Sequence, residues 1–332
     1  MKFFITMPVD SVTDTFFTEK SLAALNALGE VARNPYDRNL TEEEVAQMAQ
    51  DADVIITGWG TIRYTEEVLQ TLPNLKMIAH TAGSIAPVVD TAAFEKGIIV
   101  IGGNNIFAKS VAEGTLAYIL ASLRRMEHYS GIMRAGGWKE VLFQNRGLRG
   151  KTVGVVGFGT ITKYFLELIR WFGCEVLIYS SHIKEEEAAA YGGRPASLEE
   201  IFSTCDIVSI HTSLTPKNIG MITRELLSML KPTALLVNTA RGAIIDEPAM
   251  FEMLLEGRFT AALDVYAEEP PREDNPIRQC ENVLLMPHMG GPTIDMREEV
   301  VMELCRDFVR YQNGQPLENA FDISAVGRMS KG

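Results

Sequence analysis

Three polar side chains stand just past apolar, strand-like runs: Arg241 in Asn238-Thr-Ala-Arg241-Gly242, Glu269 in Asp264-Val-Tyr-Ala-Glu-Glu269-Pro270, and His288 in Pro287-His288-Met-Gly-Gly291. Ligands of open α/β sheets sit at the carboxyl ends of strands, so such residues come first as candidates for chemistry. A planar guanidinium holds a carboxylate or polarises a carbonyl through two parallel hydrogen bonds. Histidine is the side chain whose unperturbed pKa suits proton delivery near neutral pH, and a nearby carboxylate favours its imidazolium form and fixes its tautomer. Reduction of a ketone carbon by hydride needs such a proton at the oxygen, and the loops of Glu269 and His288 could meet. The bland readings are a solvated loop arginine and a hydrogen-bonded structural histidine. His80 and His211 also end strands and compete with His288 on topology, whereas His128 falls in a helical pattern and His182 in a polar loop.

A possible source of hydride lies upstream. Thr152-Val-Gly-Val-Val-Gly157-Phe-Gly159-Thr-Ile-Thr162 reads as an apolar strand, a glycine turn and a helix start, the context in which a GxGxxG-type motif signals a dinucleotide. Gly157 would allow the tight turn, and Gly159 would let backbone N–H groups approach a pyrophosphate at the positive end of the helix. Thr162 replaces the third glycine, which predicts a slightly wider helix-to-strand spacing. Ser180 stands where an acid would grip the adenosine ribose, and Tyr179-Ser180-Ser181-His182, followed by Lys184, supplies no carboxylate to repel a 2′-phosphate. The expected cofactor is NAD, with NADP left open.

Positioning these groups requires parallel sheets. Short β-branched runs alternate with longer helical patterns along nearly the whole chain, which predicts an α/β fold with crossover helices. The first third predicts strands over 3–7, 54–57, 77–80 and 98–101, with helices over 21–28, 41–50 and 87–96. A long helical pattern runs over 110–134, opening with Ser110 and Glu113 at capping-box spacing. A second sheet of six strands is expected from Thr152 onward, near 176–179, 207–210, 234–237, 261–264 and 283–286. A last helix over 293–311 could return to the first domain. The expectation is two Rossmann-like domains with doubly wound parallel sheets: a discontinuous substrate domain, 1–103 and 293–332, and a nucleotide-binding domain, 104–292.

Composition narrows the partners. A formal net charge of -12, from 31 basic and 43 acidic residues among 332, would repel a phosphate backbone, so no nucleic acid is expected. Apolar stretches such as 98–101 fall far short of the roughly 20 residues of a membrane helix, and the N-terminus turns polar too early for a signal peptide. No membrane partner and a cytoplasmic location are expected. Four cysteines, Cys174, Cys205, Cys280 and Cys305, lack CxxC spacing, so neither a metal site nor a disulfide framework is indicated.

Taken in order, Gly157-Phe-Gly159, His211-Thr-Ser-Leu-Thr-Pro216, Leu236-Val-Asn-Thr-Ala-Arg-Gly242, Ala262-Leu-Asp-Val-Tyr266, Glu269-Pro270 and Pro287-His-Met-Gly-Gly291 resemble the D-isomer-specific 2-hydroxyacid dehydrogenases, the family of phosphoglycerate, glycerate and D-lactate dehydrogenases. The resemblance runs from about His80 to Gly291. It implies that Arg241 orients substrate, that Glu269 supports the histidine, that His288 is the acid/base, and that His211 is not the proton donor. It further implies that Thr160 and Ile161 meet the pyrophosphate and that Thr239, Ala240 and Asp264 line the nicotinamide. Ser180, His211, Thr212 and Gly290 complete the cofactor-binding set. Ala82, Gly83 and Ser84 would offer backbone N–H groups to the substrate carboxylate, and the helix at Ser110 would be a dimer element, making a homodimer.

Departures from the family pattern fall at Thr162, at Ser180 and at Ser213, which replaces a proline. The loop His80-Thr-Ala-Gly83-Ser84-Ile-Ala-Pro87 also lacks the common glycine, valine and aspartate pattern, so the identity of the acid stays open. About 40 residues follow Gly291, enough for one returning helix, so feedback by serine through a C-terminal domain is not expected. The function these residues imply is hydride transfer between NAD(P) and a small 2-hydroxy or 2-oxo acid. Two other readings are a catalytically weak dinucleotide-sensing binding protein on the same scaffold and an inactive structural subunit.

Overall fold

The computed structural model describes residues 1–139 and 144–330; residues 140–143 and 331–332, which the domain ranges above include, lie outside the described residues. The chain forms two compact units, Met1–Ala108 with Pro292–Gly332, and Lys109–Gly291. The first break falls inside a helix, Asn104–Arg124, and not at residue 103, because Ile106 and Phe107 of its opening turn are buried in the core of the first unit.

Strands of the first unit are β1 (Lys2–Ile5), β2 (Glu30–Arg33), β3 (Val54–Thr57), β4 (Met77–His80) and β5 (Ile99–Gly102). They pair in parallel in the order β2-β1-β3-β4-β5. Every residue of β3 and β4 is buried, the pattern of strands covered on both faces. Side chains alternate across the sheet. Phe3, Ile5, Val54, Ile56, Met77 and Ala79 join one core, and Phe4, Ile55 and Ile78 the other. Val300, Leu304 and Phe308 of helix Ile294–Gln312 complete the former, which is why the last helix belongs to this unit. The edge strand β2 escapes sequence reading because Glu-Val-Ala-Arg is short and only half-buried.

The second unit holds β6 (Thr152–Val156), β7 (Glu175–Tyr179), β8 (Gly193–Pro195), β9 (Ile207–Ile210), β10 (Leu235–Asn238), β11 (Thr260–Leu263) and β12 (Val283–Leu285). Seven parallel strands, one more than expected, lie in the order β12-β11-β10-β9-β6-β7-β8. The added strand, β8, is a three-residue edge segment with a glycine and a proline, residues that depress any strand signal. Val153, Val155, Leu235 and Val237 face one core, and Val156, Leu236 and Val208 the other, so the sheet is doubly wound. Strand order reverses between β6 and β9, the switch point where α/β sheets open a crevice.

The expected helix over 110–134 is two helices, Asn104–Arg124 and Met126–Arg134, separated by Arg125 at φ 51°. Ser110 lies inside the first, so the capping box with Glu113 is not formed; the helix starts where β5 ends and Gly102-Gly103 turns the chain. This first helix is long and apolar enough, by length and composition, to cross a membrane, which the apolar-run count missed. Ile106 and Phe107 are spent in the core of the first unit and Ala112, Ile119 and Leu123 in that of the second.

Candidate active site

At the switch point, Gly157 turns the chain at φ 105°, a value that favours glycine. A Cβ there would lie 2.7 Å from the Thr212 nitrogen and 2.8 Å from its Cα, so the turn after β6 packs directly on the loop after β9. Gly159 is exposed, caps helix Thr160–Ile169 without a side-chain bond, and has nothing within 4 Å of its would-be Cβ. The helix's first backbone bond runs from Lys163 N–H to the Gly159 carbonyl, 3.1 Å, so the N–H groups of Thr160 and Ile161 face no backbone acceptor. Helices starting at Glu19, Glu42, Glu66, Leu198 and Arg224 are all capped by the hydroxyl before them. An uncapped helix N-terminus with open space above a glycine fits a pyrophosphate. Thr162, fully buried, donates its hydroxyl to the Gly157 carbonyl at 3.0 Å, so this residue ties the helix to the turn. Ser180 follows β7, half-buried, and Thr212 accepts a 3.1 Å bond from the Asn218 amide.

Past β10, β11 and β12 the structure brings Arg241, Glu269 and His288 together. His288 Nδ1 lies 2.6 Å from Glu269 Oε2, and the other carboxylate oxygen accepts the Tyr266 N–H at 3.0 Å. With Nδ1 so engaged, Nε2 is the ring atom available to a ligand; the His288 side chain is 47% exposed. Burial pushes the Arg241 guanidinium below its ordinary pKa, and the charge of Glu269 pulls the other way. One Arg241 nitrogen donates to the Ala240 carbonyl at 2.6 Å.

Two close approaches hold these loops. A Cβ on Gly242 would sit 2.0 Å from the Tyr266 carbonyl carbon, so the Arg241 loop lies against the loop leading to Glu269. Asp264, 1% exposed, accepts the N–H groups of Met289 and Gly290 at 2.7 Å each, and its carbonyl accepts the His288 N–H at 2.8 Å. These three bonds fix His288 at φ 55°, a left-handed conformation uncommon for a non-glycine residue. Asp264 and Gly290, expected from the resemblance to lie at the cofactor side, thus brace the histidine loop. Thr239 shares a 3.0 Å hydrogen bond with Thr115 of helix Asn104–Arg124, and Ala240 donates to Asn238 Oδ1 at 3.0 Å.

The competing histidines are both sealed. His211 is buried against Phe165 and Ser209, and His80 bonds Thr57 Oγ1 at 2.9 Å through Nδ1; desolvation pushes each down to about 4. His211 therefore stays neutral behind the turn, next to the Gly157 contact. In the first unit, Gly83 has its carbonyl held by the Asn104 amide at 2.6 Å, and Ser84 donates to the Ser330 carbonyl at 2.6 Å. The N–H groups of Ala82 and Gly83 meet no acceptor among the described residues.

Sequence reasoning missed several braces. Asn238 bonds both the Ala240 N–H and the Arg241 carbonyl, a local Asx-type turn that an asparagine at a strand end could have signalled. Tyr118, 3.4 Å from Asp264 Oδ1, and Glu247, which accepts the Ala267 N–H at 2.8 Å and is raised above the usual carboxylate range by burial, carry no local signal.

Comparison with known proteins identifies the family of the chain. Residues 116–290 match the sequence profile described as D-isomer specific 2-hydroxyacid dehydrogenase, NAD binding domain. A D-3-phosphoglycerate dehydrogenase of Methanocaldococcus jannaschii is 33% identical over 91% of this chain and 58% of its own length. A glyoxylate reductase of Thermococcus litoralis is 30% identical over 81% of this chain and 83% of its own. The chain thus spans little more than half of the phosphoglycerate dehydrogenases it resembles. A solved acyclic imino acid reductase, in complex with NADPH and D-Arg, is 25% identical with a TM-score of 0.80, covering 97% of this chain and 100% of that one. The chain belongs to the D-isomer specific 2-hydroxyacid dehydrogenase family.

Proposed function

We propose that the protein is an NAD(P)-dependent dehydrogenase of small D-2-hydroxy acids, running the reaction between the hydroxy acid and its 2-oxo acid. The observation that carries this reading is the exposed His288 ring with its Nδ1 held by Glu269 at 2.6 Å, beside the desolvated Arg241. Arg241 orients the oxo acid through carboxylate and carbonyl, and the N–H groups of Ala82 and Gly83 offer further donors to the carboxylate. A bound nicotinamide would supply hydride to C2. His288 Nε2 then gives its proton to the carbonyl oxygen, while the Glu269 carboxylate, engaged at Nδ1, holds the ring's orientation. In the oxidative direction the same atom takes the hydroxyl proton.

Gly157, Gly159, Thr160 and Ile161 hold the pyrophosphate in this reading, and Ser180, with no acid beside it on β7, leaves room for NADP as well as NAD. We propose in addition a cytoplasmic homodimer; helix Met126–Arg134, which buries none of its residues within the chain, supports a second copy as its cover. The decisive test is His288→Ala. Turnover of a 2-oxo acid panel should fall at least ~10³-fold with dinucleotide affinity largely kept. Unchanged turnover removes His288 from the mechanism, and dinucleotide binding by the parent without turnover of any acid restores the sensor reading.

A further inference from the structure

Arg297, in the first turn of helix Ile294–Gln312, carries a charge that no carboxylate among the described residues neutralises. Its guanidinium carbon stands 5.6 Å from the Phe16 ring centre and 5.9 Å from that of Trp59. Its polar partners are neutral, the Thr15 hydroxyl at 3.2 Å from Nη1 and the Pro292 carbonyl at 3.4 Å from Nε. Three nearby acids are committed elsewhere; Glu299, for one, pairs with Arg306. Glu298 pairs with Lys20 at 2.6 Å and takes the Thr18 hydroxyl, and Asp14 lies 3.7 Å from Arg33. In a chain with 43 acidic and 31 basic residues, this arginine is held over two rings and has no carboxylate within ion-pair distance among the described residues. A guanidinium has five N–H donors, and two bonds leave most of them free.

The place of this group in the fold is equally suggestive. Thr15 and Phe16 lie past β1, Trp59 lies just past β3, and Ala82 to Ser84 lie just past β4, all toward the carboxyl end of the first unit's sheet, where such sheets take ligands. Trp59 is 47% exposed, so the cluster is open on one side. Phe107 joins it to the candidate carboxylate loop. Its ring centre is 6.0 Å from that of Trp59, and its Cδ1 would touch a Cβ on Gly83 at 3.3 Å. A chain of ring contacts therefore links Gly83, through the buried Phe107 and the exposed Trp59, to a cation.

We infer that Arg297 receives a second anionic group on the substrate, so that the preferred acid is a 2-oxo acid bearing a further carboxylate or a phosphate ester, its carbon chain lying along the exposed face of Trp59. This rests on the reading of Ala82 and Gly83 as the site of the first carboxylate. A planar fork of donors suits either oxyanion, and a stacked guanidinium is presented with little freedom left to lose.

The test compares kcat/KM of the parent, Arg297→Met and Arg297→Lys on three substrate sets: 2-oxo dicarboxylates, a phosphorylated three-carbon oxo acid, and unsubstituted 2-oxo monocarboxylates. The parent should prefer one of the dianionic sets, and whichever it prefers identifies the second anion. Arg297→Met should lose about 10- to 100-fold on that set through KM, with monocarboxylates within about threefold of the parent, and Arg297→Lys should recover part of the loss. Equal losses on all three sets would make Arg297 a brace for the helix and overturn the inference, as would a parent that prefers monocarboxylates. A parent that turns over no 2-oxo acid at all would instead overturn the dehydrogenase reading, an outcome visible before any Arg297 variant is made.

Discussion

Replacing Asp264 by asparagine tests whether the backbone brace, and not only the three polar side chains, makes the site. The carboxylate accepts two N–H bonds of 2.7 Å, from Met289 and Gly290, at a position 1% exposed. An amide has one oxygen to accept with and turns an NH2 toward the other N–H, so one charge-assisted bond is lost and a buried donor is left opposed. That costs about 1.5–3 kcal/mol. The same bonds hold His288 at φ 55°, and a non-glycine residue in that region relaxes by roughly 1 kcal/mol or more once released. The released loop would carry the ring away from Glu269, and the two contributions together come to about 3 kcal/mol, or ~10²-fold in turnover if they are felt in full at the transition state. Steady-state reduction of a 2-oxo acid, followed through the nicotinamide absorbance, reads kcat; urea denaturation of the same variant reads stability. A kcat within threefold of the parent in a folded Asp264→Asn protein would refute the claim that these bonds position His288.

Other perturbations probe separate parts of the argument. Gly242→Ala places a methyl 2.0 Å from the Tyr266 carbonyl carbon, so the Arg241 and Glu269 loops must part; a melting temperature lower by several degrees and loss of acid turnover are expected, and a silent variant would show that the loops are not pressed together. Ser180→Asp should lower kcat/KM for NADPH about 10- to 100-fold while leaving or improving that for NADH, and parallel assays with both cofactors check the ratio. Acid should destabilise the fold through its buried histidines. His80 and His211 are pushed from 6.5 down to about 4, so the unfolded chain takes up their protons first, and stability present above pH 6.5 declines toward pH 4 by roughly 3 kcal/mol per ring. Urea midpoints across that range should show the decline, and His211→Gln should make it shallower; equal slopes in parent and variant would contradict a neutral, buried His211.

Physical reasons separate what the sequence made legible from what it hid. Both parallel sheets could be read because fully buried strands such as β3, β4, β9 and β10 are mostly apolar, each with a single polar residue (Thr57, His80, Ser209 and Asn238). The edge strands β2 and β8 could not, since short segments with one free edge and polar or glycine-proline content carry no such run. The strand-end rule located Arg241, Glu269 and His288 because it concerns where a residue stands in its own element. It left three strand-end histidines level, because what separates them is packing between distant segments. His211 is sealed by Phe165 from the helix after β6, and His80 by Thr57 from the neighbouring strand, whereas His288 stays exposed and gains its carboxylate from a loop past another strand. The same reasoning explains Thr162. Read as a gap in a motif it predicted a slightly wider helix-to-strand spacing; in the structure its hydroxyl finds the Gly157 carbonyl across the turn and ties the helix to it. A departure from a motif is therefore best judged by the partner the substituted side chain finds, and that partner is set by the turn the glycine makes, not by the spacing of the motif itself.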